Sequence, residues 1–114
     1  MSDCIFCKII TGEIPSTKRY EDDDVIVFND LYPQAPIHFL VVPKPHIDWA
    51  RDITAENSFY VAKCFEAIAK LTKDFDTGFR VINNCGEDAG QSVKHLHFHV
   101  LAGRRLGEKL CPEK

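Results

Sequence analysis

Across residues 95–101 the chain reads His-Leu-His-Phe-His-Val-Leu, with polar and apolar positions in strict alternation. A period of two predicts a β-strand whose Leu96, Phe98 and Val100 face a core while His95, His97 and His99 share the opposite face. Residues 25–30 and 38–43 are rich in β-branched and aromatic residues, and the Leu-Tyr-Pro-Gln-Ala-Pro between them supplies turn chemistry, which predicts two strands joined by a short loop. Alternation places His38, Leu40 and Val42 on one face of the second strand. Residues 18–21 are a candidate edge strand. The pattern then changes period. Thr54 is the candidate N-cap of a helix over residues 55–75, with Phe59, Ala62, Phe65, Ile68 and Phe75 as an apolar stripe and Val61, Cys64 and Leu71 beside it. Gly78 is its stop, residues 79–83 read as another strand, and a polar loop from Asn84 to Ser92 leads into the histidine run. One long helix and otherwise hairpin-like connections predict an α+β domain on an antiparallel sheet, since a parallel sheet needs a crossover between each pair of strands.

Length and composition narrow the class. A chain of 114 residues is expected to form one domain over residues 1–114, burying roughly 65% of its unfolded surface. The formal charge of −3 argues against general binding to the nucleic-acid backbone, so any phosphate ligand must be held by a local site. No run of about 18 apolar residues predicts a membrane span, and the N-terminal Met-Ser-Asp-Cys-Ile-Phe-Cys-Lys carries no secretory pattern, which predicts a cytoplasmic protein. Five cysteines, Cys4, Cys7, Cys64, Cys85 and Cys111, are an odd number and too few for a disulfide framework, as suits a reducing compartment.

Three imidazoles crowded within about 7 Å disfavour one another's protonation, leaving them neutral at pH 7 as nucleophiles, bases or metal ligands. Cys4 and Cys7 have the spacing at which two thiolates on one turn reach a single Zn²⁺, with His46 and one histidine of the triad as candidate further ligands. The competing reading makes the two cysteines small apolar positions of a short N-terminal helix. A thioredoxin-like redox pair is disfavoured because no strand precedes the motif. His46 follows two prolines that restrict its backbone, and His38 can meet the triad across the sheet. The loop with Gly86, Gly90, Gln91 and Ser92 is either an ordinary connection or a nest of N–H groups around an anion; beside neutral histidines, the nest would bring a phosphate within reach of a nucleophilic imidazole.

These residues together resemble the histidine triad family of nucleotide hydrolases and transferases, and within it the nucleotide-binding proteins that act as nucleoside phosphoramidases. The resemblance runs from Cys-Ile-Phe-Cys-Lys-Ile-Ile (residues 4–10) through Gly12-Glu13-Ile14-Pro15, Asn29-Asp30, Pro33-Gln34-Ala35-Pro36, the segment His38 to His46, Arg80 to Asn84, and Gly90-Gln91-Ser92-Val93-Lys94 into the triad. It implies a five-stranded antiparallel sheet with one long and one short helix, paired in a homodimer as a sheet of ten strands. It also implies that His97 attacks an α-phosphorus to form a nucleotidyl-histidine, that His99 hydrogen-bonds the phosphate, and that His38 supports His99. Ser92 would contact the leaving group, Asn83, Gly90 and Gln91 the phosphate, and Asp30 with Leu31 the nucleoside; a carboxylate can accept both ribose hydroxyl protons. One structural Zn²⁺ per chain would be held by Cys4, Cys7, His46 and His95, with no organic cofactor. The substrates would be purine nucleotides, derivatives of AMP or GMP, with no nucleic-acid or membrane partner.

Three other readings compete. The first is a dinucleoside polyphosphate hydrolase of the fragile histidine triad branch, against which Ser92, the two-cysteine motif and the short chain weigh. The second is a metallohydrolase with alternating histidines on a catalytic zinc, and the third a nucleotide-binding or scaffold protein with little turnover. The tail from Leu106 to Lys114 lacks the tryptophan that some animal members place near the partner's active site, so a leaving-group preference built there is not expected to carry over.

Overall fold

A computed structural model describes residues 4–111. A short helix, α1 (Ile5–Thr11), precedes strands β1 (Lys18–Glu21), β2 (Val25–Asn29) and β3 (Ile37–Pro43); helix α2 (Ser58–Leu71) follows, then β4 (Arg80–Ile82) and β5 (Phe98–Ala102). Single 3₁₀ turns lie at Ala50–Asp52 and Glu87–Ala89. The five strands form one antiparallel sheet in the order β1-β2-β3-β5-β4, the α+β architecture that the hydrophobic pattern predicts.

Both faces of the central strands are covered. Val25, Val27, Phe39, Val41, Phe98 and Val100 pack beneath α2 with Cys64, Ala67 and Ile68. Ile26, Phe28, Leu40 and Val42 take the opposite face beneath Phe6 and Ile9 of α1. Strands buried on two sides need not alternate in polarity, which is why β2 reads Val-Ile-Val-Phe.

Two elements differ from their predicted form. Helix α2 occupies Ser58–Leu71 rather than residues 55–75, because residues 54–57 close on themselves. Asn57 Oδ1 accepts from the Thr54 N–H at 2.7 Å, and Thr54 Oγ1 accepts from the Glu56 N–H at 3.2 Å. The buried stripe of α2 is Cys64, Ala67 and Ile68 with Val61 and Leu71 partly buried beside it, while Phe59 and Phe65 stay about half exposed. Strand β5 starts at Phe98, so only His99 of the three histidines lies in the ladder. The reason is the chain opposite. Past Val42 it runs Pro43-Lys44-Pro45, and proline has no N–H to give. The backbone of residues 95–97 finds other partners: Leu96 N–H donates to Ile47 O at 2.6 Å and Asn83 Nδ2 to His97 O at 2.8 Å. The side chains nonetheless keep alternating, with Leu96 and Phe98 under α2 and the His95 and His97 rings against Phe6.

Candidate active site

The face of the sheet beneath α1 carries two histidine clusters joined by the segment from His95 to His99. In the first, Cys4, Cys7, His46 and His95 converge, their ligand atoms all within 4.8 Å of one another. His95 Nδ1 stands 3.4 Å from Cys4 Sγ and 3.6 Å from Cys7 Sγ, and His46 Nδ1 stands 3.2 Å from Cys7 Sγ. A tetrahedral zinc with bonds of about 2.3 Å to sulfur and about 2.05 Å to nitrogen has S···N edges of about 3.6 Å, so the donors already stand close to the corners. The other nitrogens fit as well. His95 Nε2–H donates to Pro43 O at 2.8 Å and His46 Nε2–H to Asp48 Oδ1 at 2.8 Å, which leaves both Nδ1 lone pairs facing the thiols. Without a cation the Cys7 sulfur holds its proton: burial and the neighbouring Cys4 thiol push it up to about 11. A bound cation reverses that balance.

The two-cysteine motif sits at the start of the short N-terminal helix. Cys4 is the N-cap of α1, its Sγ accepting from the Cys7 N–H at 3.3 Å, and both thiols point to the same centre.

The second cluster holds His97, His99, His38 and Asp30. His97 is 3% exposed, and its Nδ1–H donates to His95 O at 2.7 Å; Nε2 therefore carries a lone pair and no proton. The His99 ring lies 5.1 Å from that of His97. His38 Nε2 lies 2.9 Å from His99 Nδ1 and 3.4 Å from Asp30 Oδ2. The Gln34 N–H points at His38 Nδ1 at 3.1 Å, so the His38 proton sits on Nε2 and is donated to His99, whose own proton then sits on Nε2. Asp30, His38 and His99 are close enough to suggest a cation site, but with its Nδ1 accepting from Gln34 and its Nε2 protonated, His38 has no lone pair to offer. The trio is a hydrogen-bond relay.

Burial favours the neutral form of the three triad imidazoles, His95, His97 and His99. It pushes His99 down to about 4, with His97 and His38 adding to the effect, and lowers His97; His95 is likewise held at about 4, chiefly by burial. Crowding, the cause expected from sequence, ranks second at His99, adds a smaller lowering at His95 and does not act on His97.

The surrounding loop is braced from within. Gln91 Oε1 accepts from the Gly86 N–H at 2.8 Å and its Nε2 donates to Asp48 O at 2.7 Å, so this side chain ties the loop to the segment that carries His46. Asn83 is spent on His97 O and on the Cys85 thiol, which donates to Asn83 Oδ1 at 3.1 Å. Gly90 takes a positive φ of 83° to close the 3₁₀ turn. Ser92 is exposed and lines a cleft of about 320 Å³ with Cys4, Ile5, His46, Asp48, Val93 and Lys94. Asp30 Oδ1 accepts from the Tyr32 N–H at 2.8 Å, and Leu31 stands free at 86% exposure. Three contributors escaped sequence reasoning: Asp48, Phe6 and the Gln34 amide. Asp48 stands two residues after His46, a spacing that could have drawn notice. The other two act through packing and a main-chain group, which leave no mark in the sequence.

Comparison with known proteins agrees with this geometry. Residues 3–109 match the family model described as "Scavenger mRNA decapping enzyme C-term binding". A histidine triad protein from Clostridium difficile is 58% identical with a TM-score of 0.91, the match covering 96% of this chain and 97% of that one. This chain belongs to the histidine triad family. A histidine triad family hydrolase from Clostridium thermocellum superposes with a TM-score of 0.93 at 42% identity over 97% of this chain and 99% of its own. The purine nucleoside phosphoramidase of Escherichia coli is 40% identical over 112 residues, which are 96% of this chain and 94% of that protein. As a histidine triad hydrolase, the chain carries its triad where the sheet, α1 and the 83–92 loop meet. Among the described residues no helix is long and apolar enough to cross a membrane.

Proposed function

We propose that this histidine triad hydrolase is a purine nucleoside phosphoramidase acting through a nucleotidyl-His97 intermediate. The observation that carries the reading is the bond from His97 Nδ1–H to His95 O, which leaves an unprotonated Nε2 on a buried neutral ring. Such a nitrogen needs no separate base to become a nucleophile. Its Nε2 forms a bond to the α-phosphorus as the P–N bond to the leaving group breaks. The departing nitrogen gains a proton through the Ser92 hydroxyl, a proton that the water attacking in the second step replaces, and leaves as an amine. Water then attacks phosphorus, releasing the nucleoside monophosphate and restoring His97. His99 and His38 hold the protons on the phosphate side, and Asp30 with Leu31 takes the nucleoside. Ser92 acts on the leaving group, while Gly90, and Gln91 and Asn83 through their bracing bonds, shape the phosphate loop.

Cys4, Cys7, His46 and His95 hold one structural zinc, which ties the N-terminal segment to the sheet and takes no part in the chemistry. The protein works as a cytoplasmic homodimer, its sheet continued into the partner's. The likeness to the purine nucleoside phosphoramidase of Escherichia coli supports the phosphoramidase reading.

The test compares kcat/KM for adenosine and guanosine 5′-phosphoramidates with that for diadenosine polyphosphates, on the wild-type chain and on His97→Asn. The phosphoramidates are expected to be preferred. Loss of the nucleophile is expected to cost several decades of turnover while nucleotide affinity stays within about tenfold. A higher kcat/KM for the dinucleotide moves the protein to the polyphosphate branch. Turnover above about 1% in His97→Asn overturns the covalent route.

A further inference from the structure

The two clusters share more than a segment of chain. His95 contributes its Nδ1 to the cysteine cluster and its backbone oxygen to the His97 Nδ1–H, so one residue belongs to both. Phe6 provides a second link. It lies between Cys4 and Cys7, is 5% exposed, and stands edge-on to His97 with centroids 5.0 Å apart and planes at 86°. The same ring touches Phe28 at 5.4 Å and His95 at 6.0 Å. The His97 ring is thus held by one hydrogen bond to the preceding turn of chain, by the His99 ring and by Phe6.

We propose that Phe6 is a positioning residue for His97, and that the metal-binding turn Cys4–Cys7 acts as the clamp that presses Phe6 against the imidazole. The inference rests on His97 being the nucleophile. The physical argument is one of freedom. The bond to His95 O fixes one end of the His97 ring but permits rotation about the line through that contact, and a reacting Nε2 misplaced by about 1 Å can cost about a hundredfold in rate. An aromatic edge packed on the ring removes that rotation, and edge-to-face packing is directional where aliphatic packing is not. A seven-residue helix has little stability of its own, so its ends must be tied down for Phe6 to stay in place. The N-cap Cys4 and the first-turn Cys7, drawn toward His46 and His95, tie down the end that carries Phe6, and the C-terminal end is closed by the Gly12 cap. On this view the metal centre takes no part in bond making, yet it determines where the nucleophile points.

The test uses the full chain as Phe6→Leu and Cys4→Ser, with ¹⁵N-labelled histidine. In the wild-type protein the His97 Nδ1–H, buried and bonded to a carbonyl, is expected to give a slowly exchanging imidazole proton signal. Phe6→Leu keeps an apolar side chain; it is expected to bind metal as the wild type does, to lose or broaden that signal, and to lower kcat about tenfold or more with KM within about threefold. Cys4→Ser is expected to broaden the same signal with Phe6 intact. Should Phe6→Leu fail to fold, Phe6→Met carries the same comparison. A sharp His97 signal and a wild-type kcat in Phe6→Leu overturn the positioning role, and an unchanged signal in Cys4→Ser overturns the clamp. His97→Asn separates the two levels: full turnover there removes the nucleophile and this inference with it, whereas an inactive His97→Asn beside a fully active Phe6→Leu removes the inference alone.

Discussion

His38 Nε2 lies 2.9 Å from His99 Nδ1, and the direction of the proton between them is set by a third residue, through the Gln34 N–H on His38 Nδ1. The relay needs a neutral His99, and burial holds it at about 4. The sign of the pH effect follows. In the unfolded chain a histidine titrates near 6.5, so between about pH 6.5 and 4 the unfolded state binds a proton that the native state refuses. Stability from this group is fully present above pH 6.5 and falls as pH drops toward 4. The slope reaches about 1.4 kcal/mol per pH unit. Urea unfolding from pH 4 to 8 is expected to show that fall, and His99→Asn to flatten it by about one proton. Parallel curves for the two proteins would contradict the neutral, buried state.

Zinc is expected at one ion per chain, measured by elemental analysis of protein purified without chelator. Cys4→Ser should lose it, since the Cys4 thiol stands 3.4 Å from His95 Nδ1 and has no substitute nearby among the described residues. At free zinc a thousandfold above Kd the ion adds about 4 kcal/mol to stability, so chelation should lower Tm markedly. A full zinc equivalent in Cys4→Ser would exclude this ligand set.

Ser92 borders a cleft that also touches Cys4 and His46, and its part in the proposed function is to act on the leaving group. A nitrogen leaving group departs well only if it gains a proton, an effect worth about 10²–10⁴-fold in general acid catalysis. Ser92→Ala should therefore slow release of basic amines more than release of phosphate-type groups, which need no proton at neutral pH. Equal losses on both substrate types would remove Ser92 from that role.

Gly86 takes φ 86° and ψ 171°, and a Cβ built there would stand 2.6 Å from Trp49 Cζ3. The Trp49 ring has little room to yield, because the Arg51 guanidinium lies 3.9 Å from its centroid. Gly86→Ala combines a backbone region costing about 1–3 kcal/mol with a steric clash, so a loss of at least about 2 kcal/mol is expected in a thermal melt. The Gly86 N–H also holds Gln91 Oε1, so the same variant should raise KM for the nucleotide. A wild-type Tm and KM would show that the loop tolerates the shift.

The strands β2, β3 and β5 and the meeting of His38 with the triad across the sheet were legible, because a period of two is imposed by the backbone wherever a chain lies in a sheet; the split of Val25 and Val27 from Ile26 and Phe28 was decided by the two layers that cover β2. Spacing and residue type marked Cys4 and Cys7, with His46 and one histidine of the triad as candidate partners; His95 as the fourth was implied by the family resemblance, and the fold brings these four together. Element ends were not. Helix α2 lost its first turn to the mutual hydrogen bonds of Thr54 and Asn57, and β5 began late because the prolines of the chain opposite had no N–H to offer. Nor could the sequence by itself say which nitrogen of each histidine carries its proton. That was decided by Pro43 O, His95 O, the Gln34 N–H and Asp48, groups brought to the rings only by folding. Sequence thus determined which side chains could do the chemistry. Tertiary structure decided their protonation and aim, because a tautomer depends on a partner within about 3 Å, and three of those four partners are main-chain atoms that a one-dimensional pattern does not reveal.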